Sequence, residues 1–191
     1  LELYLMEVSM GKRFTPIGKP YARGTVSALK LTIKKIRDFC IERGSFYSFD
    51  EIDINFYRDF VSYLKSIDYN LNSIGKCIRI LKSILHNALD EGYPVNKSFL
   101  SKSFIETRAM AESIYLTEAN LEAMMAVDLS NRNPQYEKAR DIFMIGVWTA
   151  QRVSDYNNLT RENIVEEEGS LTIHLTQRKT GKRVVVPCCS R

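Results

Sequence analysis

The sequence has few of the residues that build covalent or metal-bound frameworks. Its 191 residues include four cysteines, at positions 40, 77, 188 and 189, and two histidines, His86 and His174. No cysteine pair has the C-x-x-C spacing, and neither histidine is placed to complete a zinc pattern or to act as a base. We therefore expect reduced, structural thiols and no metal site. A soft-metal site at the adjacent residues Cys188 and Cys189 is disfavoured.

Long apolar runs are also missing. No segment approaches the roughly 18 apolar residues that cross a bilayer, and the first residues lack the order of a signal peptide. These absences predict a cytoplasmic protein with no membrane partner. Residues 11–15, GKRFT, lack the upstream glycine of a P-loop, which argues against a nucleotide cradle. The chain begins without methionine and stops just after an apparent strand, so we expect a piece of a longer protein.

The charge is modest but unevenly distributed. The net charge is +4, and residues 1–110 carry 17 Lys or Arg against 12 Asp or Glu. Residues 111–191 carry 10 against 11. A basic first half fits a polyanionic partner, although many solvated helical surfaces are as basic.

Three segments of the first half have the apolar period of amphipathic helices. They cover residues 25–42, residues 53–66 with Asp53 as N-cap, and residues from 72 to just before Gly92. Basic residues recur at helical spacing on a second face of the first and third segments. These basic stripes are Lys30, Lys34 and Arg37, and Lys76, Arg79 and Lys82. They favour a phosphate-facing surface, with a solvated helix flank as the alternative.

The pattern changes in the second half. Periodicity fails between Gly92 and Ser113, which predicts a linker. A helix should follow Thr117, a good N-cap, and the strongly apolar residues 135–150 predict a central, buried helix. After it we expect a short helical turn that is capped by Ser154 and runs to Leu159.

Beyond residue 163 the apolar period becomes two, which indicates strands. Leu171, Ile173 and Leu175 alternate with polar residues, the sequence KTGK supplies a turn, and RVVVP is rich in β-branched residues. We predict a β-hairpin whose tip gathers four cations. These are Arg178, Lys179, Lys182 and Arg183.

Residues 149–159, TAQRVSDYNNL, place a lone arginine after an apolar helix. Arginine keeps its charge, so Arg152 must be paired, solvated or available to an external anion. Its planar fork matches two phosphate oxygens, whereas a lysine offers a compact charge that can also deliver a proton. Arg152 and the hairpin lysines together describe a phosphodiester site. The alternative is an ion pair between Arg152 and Asp155 beside a solvated loop.

Three stretches of the second half resemble the tyrosine recombinase family, the phage-integrase type found in mobile genetic elements. They are YLTEANL, ARDIFMIGVWTAQRVSDYNNLTRENI and LTQRKTGKRVVVP. In that family a buried helix ends in T-G-x-R-x-[ST]-[DE], which holds a catalytic arginine, and a downstream hairpin carries a catalytic lysine. The earlier stretches GKPYARGTV and LNSIGKCIRILKSILHNAL are similar to the helical core-binding domain of integrases from transposons and conjugative elements.

The resemblance assigns roles to individual residues. Arg152 would hold the non-bridging oxygens of the scissile phosphate and would be left uncompensated because DNA supplies the anion. Asp155 would support that arginine and its neighbours. Lys179 best matches the lysine that protonates the departing 5′-oxygen, with Lys182 as the alternative. Alanine at position 150, where the family usually has glycine, should need only a small adjustment of the turn.

The resemblance also implies residues that this chain lacks. The family has a His-x-x-Arg pair, a further His or Trp and a nucleophilic tyrosine downstream of the hairpin, whereas no tyrosine follows Tyr156 here. Without a nucleophile no covalent phosphotyrosine intermediate forms. We therefore expect an N-terminal part of a recombinase that binds double-stranded DNA but is inactive alone. The parent would need no metal or other cofactor, and would assemble as a tetramer of protomers on DNA.

The expected fold is mainly α. Residues 1–108 would form a SAM-like helical core-binding domain, and residues 109–191 the start of an α/β catalytic domain with a β-hairpin. The parent function would be integration or excision of a mobile element. The alternative is a non-catalytic, architectural DNA-binding protein on an integrase-like scaffold. The reading frame beyond Arg191 would separate the two, since a His-x-x-Arg segment followed by tyrosine favours the enzyme.

Overall fold

The structure is a computed structural model that describes residues 1–15, 17–110, 113–167 and 169–188. The chain divides into two compact units, Leu1–Glu112 and Ser113–Arg191. This division lies four residues after the boundary that we predicted. The roles assigned to the two domains stay a prediction.

The first unit is a bundle of four helices. They are α1 (Glu2–Ser9), α2 (Arg23–Arg43), α3 (Ile54–Ser66) and α4 (Leu71–Asp90). The side chain of Asp53 accepts hydrogen bonds from the backbone nitrogens of Asn55 and Phe56, which confirms it as the N-cap of α3. Gly44, the residue after the end of α2, has the left-handed conformation. The three predicted helices are therefore confirmed to within two residues at each end.

Aromatic and aliphatic side chains from α2, α3 and α4 fill the core of this unit. The ring of Phe39 contacts those of Phe56 and Phe60, with centroids 5.4 and 5.5 Å apart. Ile78 and Leu81 of α4 are fully buried in the same cluster. Burial of this apolar surface is the main source of stability, at about 25 cal/mol per Å².

The predicted linker between Gly92 and Ser113 is wrong over most of its length. Residues 97–100 form a 3₁₀ turn, and Phe99 and Phe104 are buried in the core of the first unit. The hydroxyl of Tyr57 donates to the carbonyl oxygen of Ile105 at 3.1 Å. The segment lacks a helical or strand period because single aromatic residues, not a repeating face, attach it to the bundle.

The second unit begins with three helices, α5 (Glu118–Ala126), α6 (Pro134–Thr149) and α7 (Val153–Tyr156). Thr117 caps α5 as predicted, and it forms a reciprocal capping box with Asn120. The prediction for α7 was wrong in detail. Its N-cap is Arg152, not Ser154, and the helix ends at Tyr156.

Helix α6 exists as predicted, but it is not a buried central helix. Met144 and Thr149 are its buried residues, whereas Tyr136, Phe143 and Trp148 are 61%, 39% and 59% exposed. Among the described residues, α6 packs mainly against α5 and α7. Its apolar composition predicted burial, but burial also requires neighbouring elements to cover each face.

A small antiparallel sheet of three strands completes the second unit. Its order is β1 (Ile164–Glu167), β2 (Ser170–Thr176) and β3 (Arg183–Cys188). The hairpin of β2 and β3 is confirmed, with Ile173 opposite Val186 and Leu175 opposite Val184. Strand β1, which pairs with β2, was not predicted. Among the described residues, none of the helices combines the length and apolar character that spanning a lipid bilayer requires.

Candidate phosphate site and basic surface

The turn that carries Arg152 reverses the chain sharply after α6. The hydroxyl of Thr149 donates to the carbonyl oxygen of Ile145 at 2.7 Å within the last turn. Ala150 then takes the left-handed conformation, with φ 51° and ψ 26°. A Cβ is strained in this conformation, so glycine would fit position 150 better than alanine does. Arg152 follows in an extended conformation with its side chain 49% exposed.

Asp155 lies behind Arg152 and is the buried acid of this site. Its side chain is 0% exposed. One carboxylate oxygen, Oδ1, accepts a hydrogen bond from the backbone nitrogen of Arg178 at 3.0 Å and another from the hydroxyl of Ser154 at 3.2 Å. The other oxygen, Oδ2, is buried without a hydrogen-bond partner and lies 3.7 Å from Nη1 of Arg152. Asp155 thus connects the arginine turn to the residues after β2.

Arg152 is therefore not left uncompensated, and that prediction was wrong. The Asp155 carboxylate is close enough for an ion pair, as the alternative hypothesis required. The distance of 3.7 Å is longer than a hydrogen bond, however, and the contact uses one guanidinium nitrogen. A guanidinium has five N–H donors, so donors remain for an external anion.

A second contact holds the hairpin against the arginine turn. Nε2 of Gln177 donates to Oε1 of Gln151 at 3.0 Å, and Nε2 of Gln151 donates to the carbonyl oxygen of Thr149 at 3.1 Å. We call this pair the glutamine clasp. The sequence analysis missed both glutamines, because a neutral side chain between charged ones gives no signal of its own.

The loop between β2 and β3 presents the lysines. The backbone nitrogen of Gln177 donates to the carbonyl oxygen of Lys182 at 2.9 Å, and that of Gly181 donates to Gln177 at 2.8 Å. Lys179 and Lys182 are exposed in this closed loop. Arg178 is exposed beside them, whereas Arg183 is the first residue of β3 and pairs with Thr176 in the sheet. Three of the four predicted cations therefore lie in the loop itself.

The charge of this site is strongly positive. Among the described residues, no acidic side chain other than Asp155 lies within ion-pair distance of Arg152 or of the loop cations. Within the described part of the chain, one carboxylate thus faces Arg152, and the lysines and arginines of the loop have no ion-pair partner. Such a surface attracts an anion that has several oxygens.

The structure divides the two predicted basic stripes into free and paired cations. Arg37 forms an ion pair with Glu2. Arg79 and Lys82 both pair with Glu106, at 2.9 and 3.3 Å. Among the described residues, the other members of the stripes have no ion-pair partner. These are Lys30, Lys34 and Lys76, and all three are exposed.

Other candidate chemistry finds little support. Cys40 and Cys77 are free and buried, and burial raises the pKa of both thiols, which makes them poor nucleophiles. Cys188 is free and exposed, and Cys189 lies outside the described residues. His86 stacks edge-on against Phe99 at 4.7 Å. No group of three His, Cys, Asp or Glu residues suited to a metal ion occurs within the described ranges.

Comparisons with known proteins give one family match and several solved structures of similar fold. Residues 12–105 match the family model described as "Phage integrase SAM-like domain". The whole chain matches the solved structure of a lambda integrase tetramer bound to a Holliday junction, with TM-score 0.71 and 18% identity over 100% of this chain and 51% of that chain. A comparison with curated protein sequences gave no match.

Two further solved structures have the same fold. One is the Tn1549 transposon integrase in complex with transposon right end DNA, with TM-score 0.63 and 17% identity over 98% of this chain and 56% of that chain. The other is the XerH site-specific recombinase bound to palindromic difH substrate, with TM-score 0.57 and 16% identity over 86% of this chain and 48% of that chain. The chain thus spans about half the length of these structures. Residues 12–105 thus match the model of a phage integrase SAM-like domain, and the fold of the chain is similar to that of these integrase and recombinase structures.

Proposed function

We propose that this chain is the DNA-binding portion of a site-specific tyrosine recombinase, and that it also supplies part of the catalytic site. The observation that carries this proposal is the arrangement around Asp155. A fully buried carboxylate holds both the arginine turn and the lysine loop, while Arg152 stays half-exposed. The arrangement keeps two kinds of cation near each other and open to solvent.

In this proposal Arg152 binds the non-bridging oxygens of the scissile phosphate. Asp155 orients the guanidinium from behind, since its Oδ2 lies 3.7 Å from Nη1. The remaining N–H donors match two phosphate oxygens in one plane. Stabilisation of the charge that develops on those oxygens lowers the barrier to phosphoryl transfer.

A lysine of the loop acts as the general acid. When the bond to the 5′-oxygen breaks, that oxygen takes up a proton, and a lysine ammonium can donate one. Lys179 is our first assignment because it matches the family position, and Lys182 remains the alternative. Asp155 accepts a hydrogen bond from the backbone nitrogen of Arg178, so it also positions the residue just before Lys179.

The first unit contributes affinity for duplex DNA. Lys30, Lys34 and Lys76 are exposed cations, and among the described residues they have no ion-pair partner. Neutralisation of backbone phosphates by such residues releases counterions and makes binding strongly dependent on salt. The lambda integrase and XerH structures that share this fold contain DNA, which supports the same partner for this chain.

The full reaction would proceed through a phosphotyrosine intermediate and would integrate or excise a mobile element. The lambda integrase structure is a tetramer, which supports other recombinase protomers as partners. The 191-residue polypeptide has no tyrosine after Tyr156 to match the family's nucleophile. We therefore propose that this polypeptide binds DNA without forming a covalent adduct.

The buried acid argues for this function over a purely architectural role. Burying a carboxylate costs free energy, and leaving one of its oxygens without a hydrogen bond adds to that cost. A protein that used Arg152 for structure alone would be expected to close that ion pair. An open pair is instead what an arginine shared between a carboxylate and an external anion requires.

A gel-shift titration against salt tests the proposal. With about six phosphate contacts, the affinity for a 30-base-pair duplex should fall roughly 10³-fold between 50 and 200 mM salt. Arg152→Ala should lower the slope of log affinity against log salt by the amount that corresponds to about one phosphate contact. The matched control is Arg161→Ala, which removes an exposed arginine from the 3₁₀ turn before β1.

Absence of binding at low salt would refute the DNA-binding function. Equal effects of the two arginine substitutions would leave DNA binding intact but remove the assignment of Arg152 to a phosphate. A protein–DNA adduct that survives denaturation would contradict the claim that this polypeptide lacks a nucleophile.

A further inference from the structure

A short segment of the first unit lies unusually close to helix α4. We call residues 105–110 the strap. A Cβ atom at Gly75 of α4 would lie 1.9 Å from the carbonyl oxygen of Thr107 and 2.9 Å from its carbonyl carbon. Glycine weakens a helix relative to alanine, so its presence in α4 is explained by the close approach of the strap backbone.

Side-chain contacts fasten the strap along α4. The hydroxyl of Thr107 donates to the carbonyl oxygen of Leu71 at 2.9 Å. The backbone nitrogen of Ala109 donates to Oδ1 of Asn72 at 2.9 Å. These bonds lie on either side of Arg108 and fix the backbone that carries it.

Glu106 adds an ionic contact and orients a cation. Its Oε2 accepts from Nε of Arg79 at 2.9 Å, and its Oε1 lies 3.3 Å from Nζ of Lys82. The Arg79 side chain is still 66% exposed. Both terminal nitrogens of Arg79 therefore remain available, because the pair with Glu106 uses only Nε.

An open cleft of about 730 Å³ lies between α4 and the strap. Asn72, Lys76 and Arg79 line it from the helix, and Arg108 lines it from the strap. Among the described residues, neither Lys76 nor Arg108 has an ion-pair partner, and both are exposed. The cleft thus brings together three cations, two of them arginines with donors to spare.

We propose that this cleft is a binding site for a backbone phosphate of duplex DNA, and that seating of the strap on Gly75 positions Arg108 in it. This inference rests on the proposed DNA-binding function and adds to it a site that includes Arg108, which lies outside both basic stripes. Arginine forks suit phosphate oxygens, and the open shape admits a continuous polyanion.

The experiment measures the salt dependence of binding to one 30-base-pair duplex by gel shift. Arg108→Ala should weaken binding and lower the slope of log affinity against log salt by about 0.9, the value for one phosphate contact. The matched control is Arg58→Ala, which removes an exposed arginine of α3 that does not line the cleft. This control should change the slope by less than half as much.

A second comparison removes no charge. Gly75→Ala forces the strap away from α4 and should reduce the slope as Arg108→Ala does. Gly24→Ala is its control, because a Cβ at this other helical glycine meets no atom within 4 Å. Circular dichroism checks the fold of each variant. If Gly75→Ala does not fold, Thr107→Val replaces it, since it removes the bond to Leu71 and keeps the side-chain shape.

Each outcome decides the inference. A loss of slope in Arg108→Ala and in the strap variant, but not in the controls, supports it. If Arg108→Ala and Arg58→Ala lowered the slope equally while the wild-type protein still bound DNA, the cleft would not be a phosphate site. The proposed DNA-binding function would still stand. No binding by the wild-type protein would refute both.

Discussion

Replacement of Ala150 by glycine should stabilise the second unit. Ala150 has φ 51° and ψ 26°, and the left-handed conformation costs an L-residue about 1–2 kcal/mol. Glycine removes that cost but makes the unfolded chain more flexible, which lowers the free energy of unfolding by about 0.4–1 kcal/mol. The net gain in the free energy of unfolding should be about 0.5–1 kcal/mol. For a unit of this size the midpoint of thermal unfolding should rise by about 2–8 °C.

Trp148 provides the assay because it is the only tryptophan and lies in α6 of the same unit. Thermal unfolding followed by its fluorescence reports on the second unit. The matched control is Ala123→Gly, an exposed alanine inside α5, which should lower stability by about 1 kcal/mol. If Ala150→Gly lowered the midpoint as the control does, the left-handed turn before Arg152 would be wrong.

Three further predictions concern the site and the strap. Gln177→Ala breaks the glutamine clasp, so hydrogen exchange of the loop amides should speed up while exchange in α5 stays unchanged. An equal change of the exchange rates in the loop and in α5 would contradict a tethering role for the clasp. Ion pairs with Arg79 and Lys82 lower the pKa of Glu106 in the folded protein. The contribution of this carboxylate to stability is therefore complete above the ordinary glutamate pKa of ~4.3, and it is lost as pH falls through the lowered value. The protection factor of the Ala109 amide should therefore fall in that acidic range, and a Glu106→Gln variant with the same pH dependence would contradict this assignment. In a protein that joins this chain to the nucleophilic tyrosine, Lys179→Ala should slow cleavage by roughly 10²–10⁴-fold. A substrate with sulfur at the 5′-bridging position should restore most of the rate to that variant but not to Arg152→Ala, whereas rescue of Lys182→Ala instead would move the acid to that position.

The helices of the first unit could be predicted because sequence and structure carry the same information there. Ile74, Ile78 and Leu81 repeat at helical spacing and are all 0% exposed. Asp53 caps α3 through its own side chain, which is a local interaction. Such elements depend on residues that are near one another in the chain.

Features that depend on distant residues could not be predicted. Phe99 and Phe104 show no helical or strand period, yet they attach the segment before the strap to the core. Strand β1 is short and acidic, and it becomes a strand because β2 pairs with it. The contact of Asp155 with Arg152 was anticipated as an alternative, since the two residues are neighbours in the chain. The hydrogen bond from the backbone nitrogen of Arg178 was missed, because it joins residues 23 positions apart.

The exposed apolar side chains of α6 have a practical consequence for work with this polypeptide. Phe143, Ile145 and Trp148 are each at least 39% exposed, and exposed apolar surface favours self-association. Structure-making salts strengthen that tendency, whereas the proposed DNA complex weakens as ionic strength rises. Salts of this kind therefore favour self-association and weaken DNA binding at the same time. Purification and titration are best carried out at low ionic strength, with light scattering to monitor association in every binding assay.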